Sequence, residues 1–77
     1  MLLRLKSMIA EYQGSDAQSR VYGLIRSLTR DDPDTERQVM TALIASIEIE
    51  RLERFRDGSE RDKVLRWLDT AISAQSA

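Results

Sequence analysis

The residues that could carry chemistry in this 77-residue chain are few, and their types exclude more than they offer. There is no histidine, so the usual neutral-pH general acid–base is missing. There is no cysteine, so thiol chemistry, disulfides and the common zinc ligand sets are missing too. Nucleophilic work would fall to serine, threonine, tyrosine or one of two lysines, Lys6 and Lys63. The serines have plainer roles, because Ser15 and Ser59 stand where helix caps belong. No glycine-rich phosphate loop and no nucleophile elbow is present. These absences point to a protein that is not an enzyme and carries no cofactor.

Oxygen ligands are concentrated in one place, at Asp31, Asp32, Asp34 and Glu36. Such a cluster could hold a hard cation, but the spacing is not that of an EF-hand, and Pro33 stiffens the backbone where a glycine would be needed. Helix capping accounts for all four: Asp32 as N-cap, Pro33 at the first helical position, Asp34 and Glu36 in the first turn beside the positive dipole end. No metal is expected. As an exposed acidic loop, Asp31, Asp32 and Asp34 could dock on a basic partner.

Basic residues gather at Arg51, Arg54, Arg56, Arg61, Lys63 and Arg66, around Gly58. Glu48, Glu50, Glu53, Asp57, Glu60 and Asp62 interleave with them and nearly neutralise the corner. No aromatic platform for bases accompanies it. The formal net charge is −1, made of +3 over residues 1–30, −5 over 31–50 and +1 over 51–77. That balance argues against direct grip on a nucleic-acid backbone. A regulator using the basic corner as a dimer is the alternative.

The elements that must position these groups are helices. Leu2, Leu5, Met8, Ile9 and Tyr12 share a face at helical spacing over residues 2–13, and Gly14 follows as a stop. Ser15 and Gln18 form a capping-box pattern that opens a second helix over 16–29, with the stripe Ala17, Val21, Leu24, Ile25 and Leu28. Gly23 interrupts it, which suggests close approach of a neighbour or a kink. The third helix, 33–56, is apolar on two faces: Val39, Met40, Leu43, Ile44 and Ile47 on one, Ala42, Ala45, Ile49 and Leu52 on the other. It is expected to be the centre of the bundle or the seam of a homodimer, with self-association at Leu43 and Ile47. Its second half is a charged ladder of Glu48–Arg51, Glu50–Arg54 and Glu53–Arg56 pairs facing water. Ser59 and Asp62 open a fourth helix over 60–74, striped by Val64, Leu65, Leu68, Ala71 and Ile72 with Trp67 at the edge.

The expected fold is therefore all-α, one compact bundle of three to four antiparallel helices over residues 1–77. A domain of this size buries only roughly 60–65% of its unfolded surface, so regular packing or a second copy is needed to support it. The nine residues from Val39 to Ile47 are the longest apolar stretch, too short for a membrane span. Arg4 and Lys6 break any leader-like run at the start, and a cytoplasmic location is expected. Function is expected to be binding to another protein, as in small inhibitors, adaptors or chaperone-like proteins. The candidate contacts are Asp31, Asp32 and Asp34 in the loop, Phe55 and Arg56 at the corner, and Trp67 at the rim.

Overall fold

The computed structural model describes residues 1–53 and 58–76, and its elements there are four α-helices. They are α1 (Leu2–Glu11), α2 (Ala17–Leu28), α3 (Pro33–Glu53) and α4 (Glu60–Ser76). The radius of gyration is 11.9 Å, against about 11.5 Å for a folded chain of this length. The shortest extent is only 16 Å, which is two helix layers at about 8–10 Å separation.

Each helix forms where apolar residues recur at three and four. Leu2, Leu5 and Ile9 line α1. Ala17, Val21 and Ile25 line α2, and the row continues to buried Thr29. The Thr29 hydroxyl donates to the Ile25 carbonyl at 2.5 Å, so a polar group enters the core with its bond made. Val39, Leu43, Ser46 and Glu50 are the buried row of α3, and Ser46 likewise donates to the Ala42 carbonyl at 2.8 Å. Val64, Trp67, Leu68 and Ala71 are the buried set of α4.

The centre of the bundle is α4, not α3. It packs against all three other helices, whereas α3 packs mainly on α4 and less on α2. The reason lies in how apolar residues spread around each cylinder. In α4 the buried set, together with Leu65 and Ile72 packed beside it, sweeps an arc of about 160° at 100° per residue. That arc can serve several neighbours. In α3 the apolar residues run around most of the cylinder, and Ile44, Ala45, Ile49 and Leu52 are left exposed on the side away from the core. Helix α1 runs antiparallel to α4: Leu2 neighbours Ile72, Lys6 pairs with Asp69 at 2.6 Å, and Tyr12 neighbours Glu60.

The helix starts follow the expected chemistry in two cases of three. Asp32 caps α3: its carboxylate accepts from the Thr35 amide at 3.1 Å and the Thr35 hydroxyl at 2.5 Å, and the helix begins at Pro33. Ser59 caps α4, its hydroxyl accepting from the Asp62 amide at 3.3 Å. The Ser15–Gln18 box does not form. The N-cap of α2 is Asp16, one residue later; its side chain makes no cap bond and accepts from the Tyr12 hydroxyl. A carboxylate from another helix fills the gap, with the Gln18 amide donating to Glu60 at 3.4 Å.

Both glycine expectations on the first hairpin are corrected. Helix α1 stops at Glu11, and Gly14 lies beyond it under the Tyr12 ring, which a Cβ there would displace. Gly23 sits in an unbroken α2 with nothing within 4 Å of where its Cβ would be, so neither a close neighbour nor a kink explains it.

Candidate interaction surface

Among the described residues, the sites proposed from sequence are split between an exposed turn and the core. Asp31, Asp32 and Asp34 are exposed on the turn into α3. Asp32 is engaged by Thr35, whose hydroxyl and amide hold its carboxyl below the ordinary value. Among the described residues no three acidic side chains are grouped to hold a metal ion. Phe55 and Arg56 lie outside the described residues. Trp67, expected at the rim, is buried in the core against its neighbours on α4 and beyond. Leu43 is 0% exposed and belongs to the core of the single chain, and Ile47 is half-buried against that core. Neither presents a free seam, so self-association through those two residues would compete with folding.

The charged ladder is also only partly as expected. Glu48 and Arg51 pair at 3.6 Å, both well exposed. Glu50 turns inward, buried, and accepts from Arg66 Nε of α4 at 3.3 Å. This ion pair ties the second half of α3 to α4. The partners of the other two ladder pairs, Arg54 and Arg56, lie outside the described residues. The clue to Glu50 was its register: it continues the 4-3-4 spacing of Val39, Leu43 and Ser46.

What the structure leaves open is the outer face of α3. Ile44 is 51% exposed, Ile49 43% and Leu52 82%. Ala45 is exposed between them, and Thr41 and Glu48 complete the face. On a helical projection these six span about 140°, centred opposite the Val39–Leu43–Ser46–Glu50 row. Two residues exchange sides relative to the sequence reading. Ile44, assigned there to the face of Leu43, points outward; Ala42, assigned to the other, packs on the core.

Beside this face an open groove of about 530 Å³ separates α2 from α3, lined by Ser19, Tyr22, Gly23, Arg26, Glu36 and Met40. At the far end of the bundle the turn Gly14–Ser15–Asp16 comes beside the turn Gly58–Ser59–Glu60. Gly14, Ser15, Ser59 and Glu60 border one depression of about 430 Å³ with Tyr12 and Arg61. There the hydrogen bond to Asp16 raises the Tyr12 hydroxyl above its ordinary value, and Arg20 lies 5.7 Å over the Tyr12 ring. Within this corner the Tyr12 hydroxyl donates to Asp16, Glu60 accepts from the Gln18 amide and Ser59 caps α4.

No protein-family model matches the chain, and neither the curated proteins nor the solved structures searched contain a significant match. The structure itself establishes a small, compact, all-helical protein. No helix among the described residues is long and apolar enough to cross a membrane.

Proposed function

We propose that this chain is a non-enzymatic protein-binding module, of the class of small inhibitors, adaptors and chaperone-like proteins, that meets its partner with the outer face of α3. The observation that carries the reading is the exposure of Ile44, Ile49 and Leu52 on one side of a helix whose opposite side is fully packed. Large apolar side chains held on the outward side of a rigid element are what a partner surface can cover. The absence of histidine and cysteine from the sequence supports a role without chemistry of its own. The cysteine-free composition also suits a reducing, cytoplasmic setting.

The test compares partner capture from native lysate by the wild type with capture by Leu52→Lys and Ile49→Lys. Both substitutions should abolish capture while leaving the far-UV circular dichroism spectrum and melting temperature unchanged. A partner retained at full strength by both variants would show that another surface does the binding.

A further inference from the structure

Six exposed residues of α3 follow a strict 3-4-3-4-3 spacing: Asp34, Arg37, Thr41, Ile44, Glu48 and Arg51. That is the a/d spacing of a coiled-coil seam, on the side of the helix away from the core. Their signs read acid, base, neutral, neutral, acid, base. Asp34 and Arg51 are centred on a point between residues 42 and 43. So are Arg37 and Glu48, and so are Thr41 and Ile44. That common centre lies within one residue of the midpoint of α3.

A two-fold axis crossing the helix at that point brings every position opposite its complement. Asp34 meets the second copy's Arg51, and Arg37 meets its Glu48. Thr41 meets its Ile44, and each layer occurs twice, as an isologous contact requires. The charged layers lie about 8 and about 13 Å from the axis at 1.5 Å per residue. At the centre, the small side chains of Thr41 and Ala45 allow close approach. A parallel pairing would instead set Asp34 against Asp34 and Glu48 against Glu48. The antiparallel arrangement also places each helix's positive end beside the other's negative end.

From this self-complementary pattern we infer that the occupant of the outer α3 face is a second copy of this chain, paired antiparallel about an axis between residues 42 and 43. The inference rests on the reading of that face as an interaction surface and makes its occupant another copy, so that a foreign partner would meet the dimer on a different surface. The Glu48–Arg51 contact within one chain does not oppose it, because exposed pairs of this kind are weak and rearrange freely. Gln38, Ala45 and Leu52, each seven residues from the next and all exposed, run alongside the seam. Ala45 and Leu52 supply an apolar flank, which ends in the polar amide of Gln38.

The experiment is sedimentation equilibrium of the full chain up to about 1 mM, the range suited to a one-helix seam well below the standard area of about 800 Å² per partner. The wild type should dimerise, and more weakly as salt rises from about 0.01 M to about 1 M, where screening shortens from about 30 Å to about 3 Å. Arg37→Glu alone and Glu48→Arg alone should each weaken the dimer by about tenfold or more, since like charges then face each other twice. The double variant R37E/E48R should restore it. The pair Asp34→Arg and Arg51→Asp repeats the logic at the outer layer and serves if a variant of the first pair fails to fold. A wild type monomeric throughout at low salt overturns the inference, as does a dimer indifferent to the single variants or not restored by either double variant. A monomeric wild type whose capture of a foreign partner is still lost in Leu52→Lys would sink self-pairing and leave the binding-module reading standing.

Discussion

The two faces of α3 make opposite demands, and a pair of leucines measures them. Leu43 is 0% exposed and Leu52 is 82% exposed, although they lie nine residues apart on one helix. Leu43→Ala removes three buried carbons from the layer between α3 and α4 and should cost about 2–5 kcal/mol. For a domain of this size each kcal/mol moves the melting temperature by about 4–8 °C, so the variant should melt well over 8 °C lower. Total stabilities run only about 5–15 kcal/mol, so the larger end of that cost would leave it partly unfolded at room temperature. Leu52→Ala removes carbons that are already in water, and should change stability by no more than about 0.5 kcal/mol. The assay is urea and thermal unfolding followed by far-UV circular dichroism, at a concentration low enough that self-association contributes nothing. Equal losses in the two variants would refute the assignment of inner and outer faces. So would a greater loss at Leu52, which would mean that the outer face is packed in the free monomer.

Gly23→Ala should stabilise the protein by about 0.5–1 kcal/mol, because α2 is unbroken there and the added methyl meets nothing within 4 Å. Thermal melts check it, and a loss of stability would place an unseen neighbour against that position. Asp32→Ala should lower the melting temperature at neutral pH by removing the acceptor for both Thr35 donors. Because those donors lower the Asp32 value in the folded chain, the cap's contribution is present above the ordinary value of 3.8 and fades as pH falls through the lowered one. Wild type and variant melts should therefore converge below that range, and a gap that persists undiminished in strong acid would rule out the ionised cap.

Local signals in this sequence were legible where a single residue type determines the outcome. Pro33 after Asp32 marks a helix start to the residue, and Ser59 with Asp62 marks another. The failure at Ser15 shows the limit. A capping oxygen is useful only if nothing nearer competes, and here Tyr12 engages Asp16 while Glu60, forty-two residues away, reaches the Gln18 amide. No reading of residues 15–18 alone contains that exchange. The same holds for Trp67. Its stripe-edge position is compatible with a rim only if its helix has one neighbour, and α4 packs against three helices.

The misplacement of the central helix has a physical cause that bears on the binding face. Counting apolar residues makes α3 the most hydrophobic-looking element, but burial depends on whether those residues form one arc. The arc of α4 is continuous, so a two-layer bundle can close around it. The apolar residues of α3 run around most of its circumference, and one side of a helix in a two-layer slab must face water. Folding alone would accept a polar residue at position 52, which is 82% exposed and lies outside the core that Leu43, Ser46 and Glu50 complete. Burying Ile44, Ile49 and Leu52 is worth roughly 25 cal/mol per Å² to whatever surface covers them. Charges alternating around a shared centre then restrict that surface. An arbitrary apolar partner would gain from Leu52, but only an antiparallel copy answers Asp34, Arg37, Glu48 and Arg51 together. For this reason the charge-swap experiment, rather than an apolar truncation, discriminates between a general docking face and a specific one.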